Sequence, residues 1–202
     1  MNFGRIIIFI LIFFFFFSST VHALFDTGTA LEKGKFEIDV AVNPFKNITY
    51  GQNFAFLQYG LGNGYEVHGY LSKHGTIYDW DNSTYETYMG ILKQWASFKY
   101  VDLATVIGIR KVLNPANDPS LIGPGILYTL KINPIFRIAG HLQFIGNIHQ
   151  QQNGYEITPL NLGYTSEIGL YLMLTKHLEF AFGCFTNSTG DPRPIYTFNY
   201  YF

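Results

Sequence analysis

Cysteine is almost missing. Cys184 stands alone among 202 residues, so no internal disulfide can staple the fold. Charge is scarce too, at 13% where an ordinary soluble domain carries roughly a quarter. The formal net charge of −1 offers nothing for nucleic acid or an anionic surface to hold. After Ala23 there is no apolar run approaching the about 18 residues of a spanning helix, so any later membrane crossing would have to be made by strands. Metal-ligand spacing is absent as well. There is no His-x-His or His-x-x-x-His pair, and Asp79-x-Asp81-x-Ser83 starts like a calcium loop but has Gly90 where the bidentate Glu should fall. No metal and no cofactor are therefore expected.

What is abundant is apolar and aromatic: 48% hydrophobic residues, with 20 Phe and 15 Tyr. The chain opens on Met1–Arg5, an uninterrupted apolar run Ile6–Phe17, and Ser-Ser-Thr leading into Val21-His22-Ala23. That is the three-part pattern of a secretory signal peptide, with small residues flanking a cut after Ala23. The run is short of the about 20 residues a membrane anchor needs. Removing residues 1–23 takes Arg5 with it and leaves 12 basic against 14 acidic residues, a net −2. The mature domain is read as 24–202.

From Lys35 onward the hydrophobic period is two. Phe36, Ile38, Val40 and Val42 alternate with Glu37, Asp39 and Ala41; Leu178, Phe180 and Phe182 alternate with Glu179, Ala181 and Gly183. About ten strands are predicted, near 35–43, 53–61, 65–73, 85–95, 99–110, 125–133, 135–147, 164–174, 177–185 and 195–202, with eight or twelve as the neighbouring even counts. Long polar links (Pro44–Gln52, His74–Thr84, Lys111–Pro124, Ile148–Gly163, Thr186–Pro194) alternate with tight turns at Gly62-Asn63-Gly64, Ala96–Phe98, Asn133-Pro134 and Thr175-Lys176. Long loops on one side, short turns on the other and an even strand number describe an all-β, antiparallel up-and-down transmembrane barrel. A soluble, lipocalin-like barrel has the same period but carries a charged outer face. Here the polar face is padded with Gly90, Ala104, Gly108, Ala139, Gly169, Ala181 and Gly183, which fits a cramped lumen. Trp80, Tyr85, Trp95, Tyr164 and Tyr196 are available for aromatic girdles.

The last strand places Tyr196, Phe198, Tyr200 and Phe202 on one face and ends the sequence on Phe202. In this the chain resembles the bacterial outer-membrane β-barrel proteins, in which a closing strand of alternating aromatics with a terminal Phe is the feature read by the assembly machinery. The resemblance implies an outer-membrane location, with membrane lipids and that machinery as partners, and a monomer. Leu31–Ile38 and Gly62-Asn63-Gly64-Tyr65-Glu66 resemble the small outer-membrane transporters, which implies passage of small solutes.

The inward positions are then the candidate site. Glu37, Glu66, Asp102 and Glu179 take the second place on rising strands, as does Arg137, and Lys131 faces Arg137 across the Asn133-Pro134 turn. These six are expected to form one charge layer near the short-turn mouth, in which two acids lack a formal partner. Asp39, His68, Glu86, Arg110, His141 and Glu167 also point inward, so acids outnumber bases by seven to three among the inward charges. Such a lumen is either a salt-bridged plug or a cation-favouring constriction, since acidic rings select cations. Loop-mediated adhesion is the alternative from a different class. Enzyme readings fare worse. A protease-like rim would draw on His74, Asp79, Asp81, His149 and Asp191, but the chain is short for that tall barrel. A lipid A deacylase would need His-x-Ser, and His149 is followed by Gln150-Gln151. No catalytic residue is assigned.

Overall fold

The computed structural model describes residues 27–42, 50–76, 84–114, 118–187 and 192–202. The expected signal peptide, Trp80 and the acids at 79, 81 and 191 lie outside them. Ten strands follow in chain order: β1 (Phe36–Val42), β2 (Tyr50–Gly62), β3 (Tyr65–Thr76), β4 (Thr84–Ser97), β5 (Val101–Asn114), β6 (Ser120–Lys131), β7 (Phe136–Gln151), β8 (Gly154–Met173), β9 (Leu178–Asn187) and β10 (Pro192–Tyr201). Each pairs antiparallel with its neighbours in sequence, and β1 pairs with β10 to close the barrel.

Four connections at one end are tight, and chemistry fixes them. Between β2 and β3, Asn63 has φ 53° and Gly64 φ 75°. These are the two left-handed positions of a type I′ hairpin, which Asn-Gly adopts at little cost. Residues 98–100, 132–135 and 174–177 make the other turns. The start of β1 and the chain end lie at this same short-turn end, where the Phe202 N–H donates to the Phe36 carbonyl at 2.9 Å and their rings stand 6.0 Å apart.

The link expected over Ile148–Gly163 is mostly strand. The β7–β8 ladder continues from Gly146↔Pro159 to Gln151↔Gly154 and turns through Gln152-Asn153, while residues 160–163 form an irregular bulge opposite Ile145. The stretch is too polar to show a period of two, because beyond the barrel rim both faces meet solvent and no alternation is required. Backbone hydrogen bonds sustain it, joined by side-chain contacts across the hairpin from His149 to Thr158 and from Gln151 to Glu156. β6 begins at Ser120, five residues before the expected start, because a bulge at Gly123-Pro124 interrupts the alternation between Ile122 and Gly125.

The alternation assigns the two faces. On β5, Asp102, Ala104, Val106 and Gly108 are buried, while Ile107 and Ile109 are about half exposed. On β8, Thr165, Glu167 and Tyr171 are buried and Ile168 is exposed. Polar and small residues therefore line the lumen, and the outer surface is an apolar belt that includes Met89, Ile91, Ile126 and Leu142. At the short-turn rim the belt ends in exposed aromatics, among them Tyr65, Trp95, Tyr100, Tyr200 and Phe202. A belt of this extent is stable against hydrocarbon, not water. Arg introduced at Ile107 or Leu142 is expected to lower folding stability in lipid bilayers by about 2–4 kcal/mol, and at Ile132, in a short turn, by about 1 kcal/mol or less. Denaturant titrations of vesicle-refolded variants measure this; equal tolerance at all three positions would mean that the outer face meets water.

Candidate functional site

The lumen is a concave, charged surface built by the ten strands, and its inward side chains divide into levels. At the short-turn mouth, Arg137 donates to Glu179 through Nε (2.8 Å) and Nη2 (2.6 Å). The Tyr201 hydroxyl bridges the pair, accepting from Arg137 at 2.8 Å and donating to Glu179 at 2.7 Å. Asn199 donates to the same carboxylate at 3.3 Å, and the guanidinium lies 4.9 Å from the centre of the Tyr171 ring. Glu179 and Tyr171 are each about 1% exposed and the Arg137 side chain is 21% exposed, so the bidentate pair is largely shielded from water, where charge-assisted hydrogen bonds are strong.

A second pair forms on the other side. Lys131 Nζ lies 2.7 Å from Asp102 Oδ1, with the ammonium partly open to solvent. The six residues expected to share one layer thus include two ion pairs, Arg137–Glu179 and Lys131–Asp102, with Glu37 within electrostatic reach of the first pair and Glu66 bound elsewhere. Of those acids, Glu66 accepts from the Leu31 backbone N–H at 2.9 Å and lies 3.4 Å from His68 Nδ1. Glu37 is buried beside Tyr201 and Gln58 in the strand register.

Higher in the lumen, Gln58 donates to Asp39 at 2.7 Å. Tyr70 donates to Glu86, and Arg110 stands 3.9 Å from the same carboxylate. His141 and Glu167 are buried and face each other in the β7–β8 register. Between these levels the lumen is filled by rings. Phe56, His68, Tyr70 and Tyr88 pack with centroids 5.2 to 6.2 Å apart, and His68 Nε2 lies 3.0 Å from the Tyr88 hydroxyl. Gly90 and Gly108 leave the space that Tyr88 occupies, since a Cβ at either would collide with its ring or hydroxyl. A barrel of this strand number lies near the size at which side chains fill the interior.

Several of these partners escaped the sequence reading. Tyr201 and Asn199 lie on the inward face of β10, the strand whose outward aromatics Tyr196, Phe198, Tyr200 and Phe202 dominate its pattern. The alternation that picks out one face also gives the other. Tyr70, Tyr88 and Tyr171 are inward aromatics on strands whose charged residues carry the stronger signal. The contribution of residues 27–31 had no signal at all, because that stretch has no period. At the opposite rim, His149 is held by Asp118 (3.0 Å) and Thr158 (2.9 Å).

Breaking a buried pair strands a charge, whereas breaking a solvated one costs little. Arg137→Met is therefore expected to destabilise the barrel by about 3–5 kcal/mol and Lys131→Met by less, since the Lys131 ammonium is the more exposed cation and Asp102 keeps the Thr29 hydroxyl as a second donor. The double variant Arg137→Met with Glu179→Leu is expected to recover much of the first loss. Thermal melts in detergent decide; equal effects at the two cations would contradict the assignment of the shielded pair.

No family model and no curated protein matches the chain. Among solved structures it is similar to one described as a KdgM porin, with a TM-score of 0.46 and 8% sequence identity over 82% of this chain and 98% of that one.

Proposed function

We propose that this chain is an integral barrel of the bacterial outer membrane whose narrow, acid-rich lumen passes small cations or small polar solutes passively. The observation that carries the reading is the reversal of faces. Ionisable side chains line the inside from Glu37 to Glu86 and Glu167, and an apolar belt faces out. Hydrophobic burial cannot hold such an interior against water-exposed apolar walls, so lipid is the fitting surrounding. The signal-peptide pattern and the closing aromatic strand support export and assembly in that membrane, with lipids and the assembly machinery as partners. The enclosed acids favour cations over anions. No catalytic arrangement enters this reading.

One observation favours a second reading, in which the barrel acts as a binding platform. The β7–β8 hairpin extends past the rim and exposes Tyr155 (74%) and Ile157 (46%) on a stem that is solvated on both sides.

Single-channel recording in planar bilayers separates the two. Under a potassium chloride gradient, reversal potentials are expected to report cation preference. Glu37→Gln combined with Asp39→Asn is expected to move them toward zero, since both carboxylates line the lumen. Anion preference, or no opening at any voltage, would contradict the channel reading.

A further inference from the structure

Before β1 the chain does not leave the barrel; it enters it. Lys35 stands at the short-turn rim, where the Gly60 N–H donates to its carbonyl at 3.0 Å. Gly34, with φ +80°, reverses the direction, and its own N–H donates to the Gly60 carbonyl at 2.9 Å. From there residues 31 to 27 run across the mouth along five successive strands. The segment passes so close to Gly60 on β2 that a Cβ there would strike the Leu31 and Glu32 carbonyls.

Four inward side chains, one from each of the next four strands, hold the segment. The Leu31 N–H donates to Glu66 on β3 at 2.9 Å, and the Ala30 N–H donates to the Gln94 amide oxygen on β4 at 3.1 Å. The Thr29 hydroxyl donates to Asp102 on β5 at 2.7 Å, and the Gly28 N–H donates to the Thr129 hydroxyl on β6 at 2.9 Å. Ala30 packs on the buried cluster of Leu92, Ala104, Val106 and Leu127. Three of the four acceptors, Glu66, Asp102 and Thr129, are 1% exposed or less. The wall thus meets three backbone N–H groups and one hydroxyl of a segment bent at Gly28 and Thr29 with side-chain acceptors, not with a strand ladder, so the segment can leave without breaking the barrel's own hydrogen bonds. The fit also demands small residues. A Cβ on Gly28 would lie 2.7 Å from the Asp102 carbonyl oxygen, 2.8 Å from Tyr128 Cα and 2.9 Å from the Thr129 nitrogen, all rigid backbone.

We propose that this mouth is a peptide seat occupied by the chain's own residues Thr27–Leu31, which act as a removable plug on the periplasmic side. The seated segment covers the β2–β6 half of the mouth. Beside it lies a cavity of about 470 Å³ lined by Thr29, Asp102, Thr129, Lys131, Arg137 and Glu179. The seat is also wired to the ring-filled middle of the lumen, since Glu66, which holds Leu31, contacts His68, which in turn contacts Tyr88. That the plug closes a conducting pore rests on the channel reading; that it is seated and removable does not.

The test therefore reads accessibility first. In a Cys184→Ser background, Thr129→Cys reports on the seat, and Thr197→Cys, buried on β10 outside the seat, reports on the barrel wall. Gly28→Val cannot be seated, and deletion of residues 27–31 removes the plug outright. Each change is expected to speed thiol labelling at position 129 by about tenfold or more, the effect of about 1.4 kcal/mol on a local opening. Labelling at position 197 should stay unchanged. No acceleration at 129 in either variant would overturn the proposal. Equal acceleration at both positions in the deletion would also overturn it, because the segment would then be a staple of the wall. Bilayer current is read on the same proteins. Faster labelling with larger conductance supports both plug and pore, whereas faster labelling with no conductance leaves the seat standing and fails the channel reading.

Discussion

Closure between β1 and β10 is the constraint from which the rest follows. The pairing runs from Glu37↔Tyr201 to Val42↔Tyr196 and leaves the sheet no open edge. In an apolar surrounding an unpaired strand edge is prohibitively costly, so a sheet that crosses it must close on itself. Closing also divides the side chains into two populations that cannot exchange, because a slip of one residue would turn every charge outward. The last residues of the chain are part of this closure. Phe202 caps the seam through the Phe36 carbonyl, while Tyr201, one position away, points inward to bridge Arg137 and Glu179.

Inside that enclosure the polar groups solve a local problem. Ten strands leave room for side chains but little for bulk water, so charges must find partners within reach. The lumen meets this with two ion pairs at the mouth, an aromatic column at mid-height with the Asp39–Gln58 pair beside it, and Glu86 tied to Tyr70 and Arg110 above. Glu66 turns instead toward the peptide segment that lies across the mouth, and Asp102 accepts from that segment as well as from Lys131. An acid-rich interior and a segment that presents its amide and hydroxyl donors to acids are complementary features.

Much of this was legible in the sequence, for a physical reason. Wherever one face of a strand meets an apolar surrounding and the other a polar lumen, composition must alternate, and Phe36–Val42 and Leu178–Phe182 do so plainly. Strand number, antiparallel order and the inward placement of Glu37, Glu66, Asp102 and Glu179 follow from it. Legibility failed where the surroundings are the same on both sides. Gln150–Pro159 is a solvated hairpin and reads as a loop. The pairing pattern inside the lumen was also hidden, because Arg137 on β7 reaches over β8 to Glu179 on β9, and no rule of sequence spacing reports a contact across a strand. Residues 27–31 adopt their path only because the mouth supplies acceptors for them.

The central claim is that the apolar face of the closed barrel sits in lipid with its aromatic rim at the boundary. Trp95 tests it most directly. The residue is 68% exposed on the outer face near the short-turn rim, with its indole N–H donating to Thr105 at 2.8 Å. With Trp80→Phe removing the chain's other tryptophan, fluorescence can be recorded in vesicles of lipids brominated at different depths along the acyl chain. The account predicts strong quenching by bromines near the head groups and weaker quenching by those at the bilayer centre. Emission unaffected by bromine at any depth, together with full quenching by aqueous iodide, would contradict it.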